Sequence, residues 1–248
     1  MTTIGRRTFL KRTGAVGAGG LVLGGPMQAL LALGALGQGC GRPDRGRPAA
    51  DNAGYGPLSP TPDQGDHRGE VLLALPEGFQ YWSFGWAGEA GSDGYPTPDR
   101  HDGMESFAVA GSPELVRLVR NHERGYSPVP FEGSGEEPLV GNPAYAYDRT
   151  SGGATTTLTF DTRSMELVDS FISINGTSVN CAGGRTPWGS WLTCEETVNG
   201  THNGYDKDHG YVFEVPAHGG AVTTPVPLRD MGRFAHEAVA FDPETGYA

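Results

Sequence analysis

Glycine and proline interrupt this chain so often that long helices have little room to form. The 248 residues include 40 glycines and 19 prolines, which break helices and favour turns. Between them lie short runs rich in β-branched, aromatic and alternating apolar residues, which are typical of strands. The clearest pair is a hairpin with strands over 155–160 and 165–174 and a turn over 161–164. The sequence therefore predicts an all-β fold.

The order of the predicted strands suggests a repeated unit. One strand ends in acid at Glu123 and is followed by an insertion and a hairpin, and a second strand ends in acid at Glu195 and Glu196 and continues in the same way. Further strands are predicted over 221–228 and 236–242. We predict a β-propeller, because each four-stranded blade brings its innermost strand to a shared axis. A β-sandwich is the alternative.

The first 40 residues predict an export signal. Arg6 and Arg7 are followed by Phe-Leu-Lys and then by a Gly- and Ala-rich apolar run from Gly14 to about Leu36. This order is typical of a twin-arginine signal. We therefore expect the twin-arginine export machinery as a partner and a periplasmic or extracellular location.

The remaining chain is predicted to divide into a linker and one folded part. Residues 41–69 are rich in Pro, Gly, Asp and Arg, as linkers are. Residues 70–248 are left for the fold, and the chain ends on a turn and the opening of a strand. Since such a strand would lack a partner, we expect 70–248 to be the N-terminal part of a larger propeller domain.

The net charge excludes two classes of partner. It is −11 for the whole chain, and the first 40 residues carry four Lys/Arg and no Asp/Glu, so their removal leaves −15. A protein this acidic is not suited to binding nucleic acid or an anionic membrane. With no other long apolar run, no stable membrane insertion is expected after processing. An anionic substrate would need bound cations.

The stretch 180–196, NCAGGRTPWGSWLTCEE, concentrates the residues that carry chemistry. The soft thiolate of Cys181 and the hard carboxylates of Glu195 and Glu196 together favour a metal site. A disulfide between Cys181 and Cys194 is the alternative in an exported protein. Arg185 is a candidate for binding phosphate in a bidentate manner.

Several motifs in this sequence resemble those of the PhoX-type alkaline phosphatase family, which bacteria export by the twin-arginine route. The resemblance extends from about Glu70 to the end of the chain. The matching motifs, in the family's order, are LPEGF at 75–79, DGM at 102–104, VRNHE at 119–123, GGATT at 152–156, NCAGG at 180–184, TPWGSW at 186–191, TCEE at 193–196 and FAHE at 234–237.

The resemblance implies a β-propeller whose axial site holds Fe³⁺ and Ca²⁺ and hydrolyses phosphate monoesters, so that the substrate is a small phosphate ester. It implies Cys181 as the iron ligand. The carboxylate ligands that it suggests are Glu195, Glu196, Glu237, Glu123 and Glu105. In each His-Glu pair, one side chain should face the site and the other the interior of the blade.

Two other functions suit the same ligand types. One is a calcium-dependent lactonase or phosphodiesterase on the same scaffold. The other is a secreted, non-catalytic propeller that binds a partner and uses calcium for rigidity.

Overall fold

The computed structural model describes residues 56–126, 140–242 and 244–248, and these residues form nine strands and two short 3-10 helices. The export signal predicted over 1–40 and the linker residues up to 55 lie outside the described residues. Within the described part of the chain, no helix has the length and hydrophobicity needed to cross a membrane. The prediction of an all-β fold is confirmed.

The first sheet is an antiparallel pair, β1 (Leu58–Pro62) and β2 (Val71–Pro76). The carboxylate of Asp63, which follows β1, accepts hydrogen bonds from the backbone N–H groups of Gly65, His67 and Ser83. This turn brings the chain back toward β2. The linker predicted over 41–69 is therefore wrong from residue 58 onward, because its polar residues form a strand and an organised turn.

The second sheet contains four antiparallel strands in sequence order. They are β3 (His101–Ala108), β4 (Leu115–His122), β5 (Gly153–Asp161) and β6 (Glu166–Thr177). The predicted hairpin is confirmed as β5 and β6, and both strands are longer than predicted. Along most of β5 the side chains on both faces are buried, so this strand lies at the centre of the packing.

The third sheet contains β7 (Asn180–Arg185), β8 (Ser190–Glu195) and β9 (Val212–Pro216) in antiparallel order. The strands predicted over 221–228 and 236–242 are wrong. These segments run beside the sheet without joining its ladder, through single bonds such as that from the N–H of Leu228 to the carbonyl of Val212 (2.9 Å). Their apolar residues Leu228, Val239 and Phe241 pack against Cys194 and its neighbours in β8 and β9.

One buried cluster joins the second and third sheets. Phe107 and Val119 from the second sheet meet Trp191, Phe213 and Val215 from the third. Full burial of such side chains stabilises the fold by about 1.5–3 kcal/mol each, so this cluster fixes β3 and β4 against β8 and β9. No sheet closes into a ring among the described residues, and the propeller stays a prediction.

Candidate metal centre

A β-bulge in β3 positions the first candidate ligand. The register of β3 with β4 moves from His101–His122 to Met104–Arg120. Asp102 and Gly103 therefore lie opposite the single residue Asn121. A bulge bends the strand and redirects a side chain, and here the redirected residue is Asp102.

A second bulge, in β7, positions the cysteine. The register of β7 with β8 moves from Asn180–Glu195 to Gly183–Thr193, so that Cys181 and Ala182 lie opposite Cys194. The two bulges touch each other. A Cβ atom at Gly103 would lie 2.7 Å from the Cα of Ala182 and 3.0 Å from the carbonyl oxygen of Cys181. Only glycine permits this approach, which brings Asp102 and Cys181 to one place.

Two strand ends complete the group. Glu123 directly follows β4 and Glu196 directly follows β8. The potential ligand atoms of Asp102, Glu123 and Cys181 lie within 4.8 Å of one another, and Glu196 lies close enough for its carboxylate to raise the pKa of the Cys181 thiol. We call Asp102, Glu123, Cys181 and Glu196 the Cys181 cluster.

The negative charges of the Cys181 cluster are not fully balanced by neighbouring positive charges. Burial, together with the charges of Asp102, Glu196 and Glu123, raises the pKa of the Cys181 thiol to about 12. Burial and the charges of Asp102 and Glu196 likewise raise the pKa of Glu123, against a smaller opposing effect of Arg100. A cation would relieve this repulsion and favour the ionised ligands. Three carboxylates with one thiolate fit a hard cation that accepts a soft ligand, such as Fe³⁺, and the carboxylates fit Ca²⁺.

The two cysteines of the central stretch are free. Cys194 is fully buried against Leu192 and Val212, and burial raises its pKa to about 12. The alternative of a disulfide between Cys181 and Cys194 is therefore wrong. Cys194 is a core residue, whereas Cys181 is only partly buried.

Glu195, which was predicted as a metal ligand, is not part of the Cys181 cluster in this structure. Its carboxylate is fully buried. One oxygen accepts hydrogen bonds from the N–H of Ser178 (2.9 Å) and from Nδ1 of His209 (2.7 Å). The other accepts the N–H groups of Gly210 (2.7 Å) and Tyr211 (3.0 Å). These four donors occupy the carboxylate, so Glu195 is a structural residue.

Beside Glu195 lies a buried charge network that no local sequence pattern indicates. The imidazole of His209 lies between Glu195 and Asp148, whose Oδ2 is 3.2 Å from Nε2. All three side chains are fully buried. Burial opposes charge on His209, but the hydrogen bonds to Asp148 and Glu195 outweigh it and raise the pKa of His209 to about 9. His209 is therefore an imidazolium that pairs two carboxylates.

Three further predicted site residues lie outside the cluster. Glu105 accepts hydrogen bonds from the backbone and hydroxyl of its neighbour Ser106. Arg185 lies at the far end of β7, where its guanidinium is 5.1 Å from the ring centroid of Phe107 and donates to the carbonyl of Ser106. The structure brings neither residue into the cluster. Glu237 has an exposed side chain, but its carbonyl accepts the N–H of Ala182, so it stays a candidate beside the cluster.

In the pair His122–Glu123, one side chain is buried and the other reaches the cluster, which is the arrangement predicted for a His-Glu pair. His122 is fully buried, with Nδ1 2.9 Å from the carbonyl of Asp99 and Nε2 3.0 Å from the hydroxyl of Thr156. Glu123, the next residue, reaches the cluster.

An exposed arginine lies next to the site. The backbone carbonyl of Arg100 accepts a hydrogen bond from the N–H of Glu123, which places this cationic residue beside the cluster.

The sequence matches the model of one known protein family. No curated protein sequence and no solved structure matches the chain. The sequence model of the family described as alkaline phosphatase PhoX matches residues 53–170 and 143–248. These two ranges include all four residues of the Cys181 cluster and most of the chain. The chain therefore belongs to the alkaline phosphatase PhoX family.

Proposed function

We propose that this protein is an exported, metal-dependent phosphatase that hydrolyses phosphate monoesters at the Cys181 cluster. The observation that carries the proposal is the convergence of one thiol and three carboxylates where two bulges and two strand ends meet. Membership of the family supports the reaction class, and we propose the cluster as the site where the ester is hydrolysed.

The residues of the cluster divide by their chemistry. Cys181 is the soft donor and would hold Fe³⁺, while Asp102, Glu123 and Glu196 supply hard oxygen ligands for Fe³⁺ or Ca²⁺. When bound, these cations would neutralise a phosphate group and the charge that develops in the transition state. Arg100, beside Glu123, offers a guanidinium that can bind the phosphate oxygens; this role replaces the one predicted for Arg185.

The architecture and the location belong to the same proposal. The second sheet is a four-stranded meander followed by the strands of a third sheet, as consecutive propeller blades would be. β4 and β8 each end next to a cluster residue, which is the arrangement expected of strands that approach a common axis. The twin-arginine motif at Arg6 and Arg7 supports export to the periplasm or beyond.

The direct test is hydrolysis of p-nitrophenyl phosphate by metal-loaded protein. We expect activity that chelation abolishes and that Cys181→Ala lowers by at least roughly 100-fold, because loss of a ligand should exceed the 10–100-fold effect of outer-shell partners. Arg100→Gln should raise KM. Glu105→Gln and Arg185→Gln are matched controls outside the cluster and should retain activity.

The metal content separates this proposal from its rivals. Iron together with calcium in the purified protein supports the phosphatase. Calcium alone would favour the lactonase, the phosphodiesterase or the non-catalytic propeller. Folded, metal-loaded protein that does not hydrolyse the ester would refute the proposed function.

A further inference from the structure

Asn121 connects the two bulges that form the Cys181 cluster. It is fully buried in β4, opposite the bulge at Asp102 and Gly103. Its side-chain Nδ2 donates hydrogen bonds to the carbonyl oxygens of Cys181 (3.0 Å) and Ala182 (2.9 Å). One side chain therefore binds both residues of the second bulge.

The orientation of this amide is fixed by a third contact. The indole Nε1 of Trp191 donates to Oδ1 of Asn121 at 2.9 Å. A rotated amide would direct its NH₂ group at the indole N–H and its oxygen at the two carbonyls, so every contact would become repulsive. Both donors of Nδ2 are used, and Oδ1 accepts the indole. Asn121 therefore holds the β7 bulge in a single arrangement.

The bulge needs such a partner. The register of β7 with β8 skips Cys181 and Ala182, so their carbonyls are outside the regular ladder. Buried carbonyls without donors are costly, at about 1–3 kcal/mol each. On the other side, the N–H of Ala182 donates to Glu237. Asn121 thus satisfies the two carbonyls that the bulge frees, and their positions determine where the Cys181 thiol points.

We propose that Asn121 is a positioning residue that sets the thiol of Cys181 against Asp102, Glu123 and Glu196. The inference rests on the proposed function in one respect, namely that the cluster binds cations. Without the amide, the bulge can relax toward the β8 ladder and carry the thiol away from the carboxylates. Asn121 has no ligand role in this scheme, since all its polar atoms are used by protein groups.

The structure offers a matched control in Asn175. This residue of β6 is also fully buried, and its Nδ2 also donates to two backbone carbonyls, those of Val140 (2.7 Å) and Asn142 (3.0 Å). Neither carbonyl belongs to the cluster. Asn121→Ala and Asn175→Ala therefore each remove two hydrogen bonds from a side-chain NH₂ group to backbone carbonyls. Only Asn121→Ala removes them from the β7 bulge that contains Cys181.

The experiment is a titration of metal-stripped protein with Co²⁺, whose thiolate complexes absorb in the near ultraviolet, together with thermal unfolding. Asn121→Ala should weaken Co²⁺ binding by about 10–100-fold, as loss of an outer-shell partner does, and should weaken the thiolate band. Asn175→Ala should lower the unfolding temperature and leave both signals unchanged. Folded Asn121→Ala with the Co²⁺ affinity of Asn175→Ala would overturn the inference.

A second variant covers the case in which Asn121→Ala does not fold. Trp191→Phe keeps Asn121 and most of the packing but removes the N–H that orients the amide. It should weaken Co²⁺ binding several-fold, and an affinity equal to that of the unmodified protein would overturn the inference. Because the titration contains no phosphate ester, a normal thiolate band without ester hydrolysis refutes only the phosphatase. Absence of a thiolate band in the unmodified protein refutes the positioning role.

Discussion

Glu195 and Glu196 show how far a residue pair can be interpreted from sequence. The sequence predicted both carboxylates as metal ligands, whereas successive side chains of a strand point to opposite faces and the structure brings only Glu196 to the cluster. The deciding partners lie far along the chain. Asp148 is 61 residues from His209, and no local pattern connects them. The Cys181 thiol and the acids at strand ends could be predicted, whereas the buried charge network could not.

The two glutamates should respond oppositely to neutralisation. Glu195→Gln leaves the imidazolium of His209 with one carboxylate fewer in a fully buried site, which should lower the free energy of unfolding by about 3–5 kcal/mol. Glu196→Gln removes an exposed charge from a repulsive cluster, so stability should be unchanged or higher while Co²⁺ binding weakens. Urea unfolding and the Co²⁺ titration measure the two effects. Equal loss of stability in both variants would contradict the assignment of Glu195 to the core.

Asp102 is the cluster residue that sequence analysis did not select. It lies in the motif DGM at 102–104, which was identified as part of the family resemblance, but it precedes no obvious strand end. Its position depends on the bulge opposite Asn121. A bulge adds one residue to one strand and is visible only when both strands are aligned. The one sign of it in the sequence of β3 is Gly103, since an isolated glycine inside a strand often marks a bulge.

At the level of elements, strands rich in branched and aromatic residues were found and β7 was not. The strand Asn180–Arg185 contains Gly183 and Gly184, and glycines are depleted in strands. The structure packs protein backbone against these glycines, because a Cβ at Gly184 would lie 2.1 Å from the carbonyl oxygen of Val239. Close packing of backbone on backbone is a tertiary property that residue preferences do not encode.

The segments 221–228 and 236–242 show the opposite error. Their apolar residues suggested strands, and these residues do cover β8 and β9, but only isolated hydrogen bonds link them to the sheet. Gly220 directly precedes the first segment, and Pro225 and Pro227 lie within it. These residues disfavour a regular ladder of backbone hydrogen bonds. An apolar pattern predicts burial more reliably than it predicts pairing.

Gly183→Ala tests the packing of β7 against β8. A Cβ at this position would lie 1.9 Å from the carbonyl oxygen of Leu192 and 2.7 Å from the indole of Trp191. The strands must separate to admit it, and we expect a loss of about 1–3 kcal/mol or more in the free energy of unfolding. Gly220→Ala is the control, since a Cβ there meets nothing within 4 Å. Similar urea midpoints for the two variants would show that β7 is not held this tightly.

For the molecule as a whole, the net negative charge bears on the proposed binding of a phosphate ester at the Cys181 cluster. An acidic chain repels a phosphate ester, and the Cys181 cluster adds to this acidity at the point where the substrate should bind. The composition predicted that cations are needed, and the structure shows an arrangement of ligands suited to them. In the proposed function, selection for a site that binds several positive charges would account for carboxylates that repel one another in the metal-free protein.

Two buried histidines with opposite shifts should give the metal-free protein a stability maximum near pH 6.5. Burial lowers the pKa of His122 to about 3. Its contribution to the free energy of unfolding is therefore present above pH 6.5 and is lost as the pH falls toward 3. The pKa of His209 is raised to about 9 despite burial, by its bonds to Asp148 and Glu195. Its contribution is complete below pH 6.5 and is lost as the pH rises toward 9.

Each limb should amount to a few kcal/mol, on the order of 3, because one pKa unit corresponds to about 1.4 kcal/mol. Urea unfolding of metal-free protein between pH 4 and 9 measures the profile, and NMR titration of the two imidazoles assigns the limbs. His122→Asn should flatten the acid limb and leave the alkaline limb in place, because His209 lies in a separate network. A free energy of unfolding that rises between pH 6.5 and 9 would mean that His209 is neutral, and the pairing of Asp148 with Glu195 through an imidazolium would then be wrong.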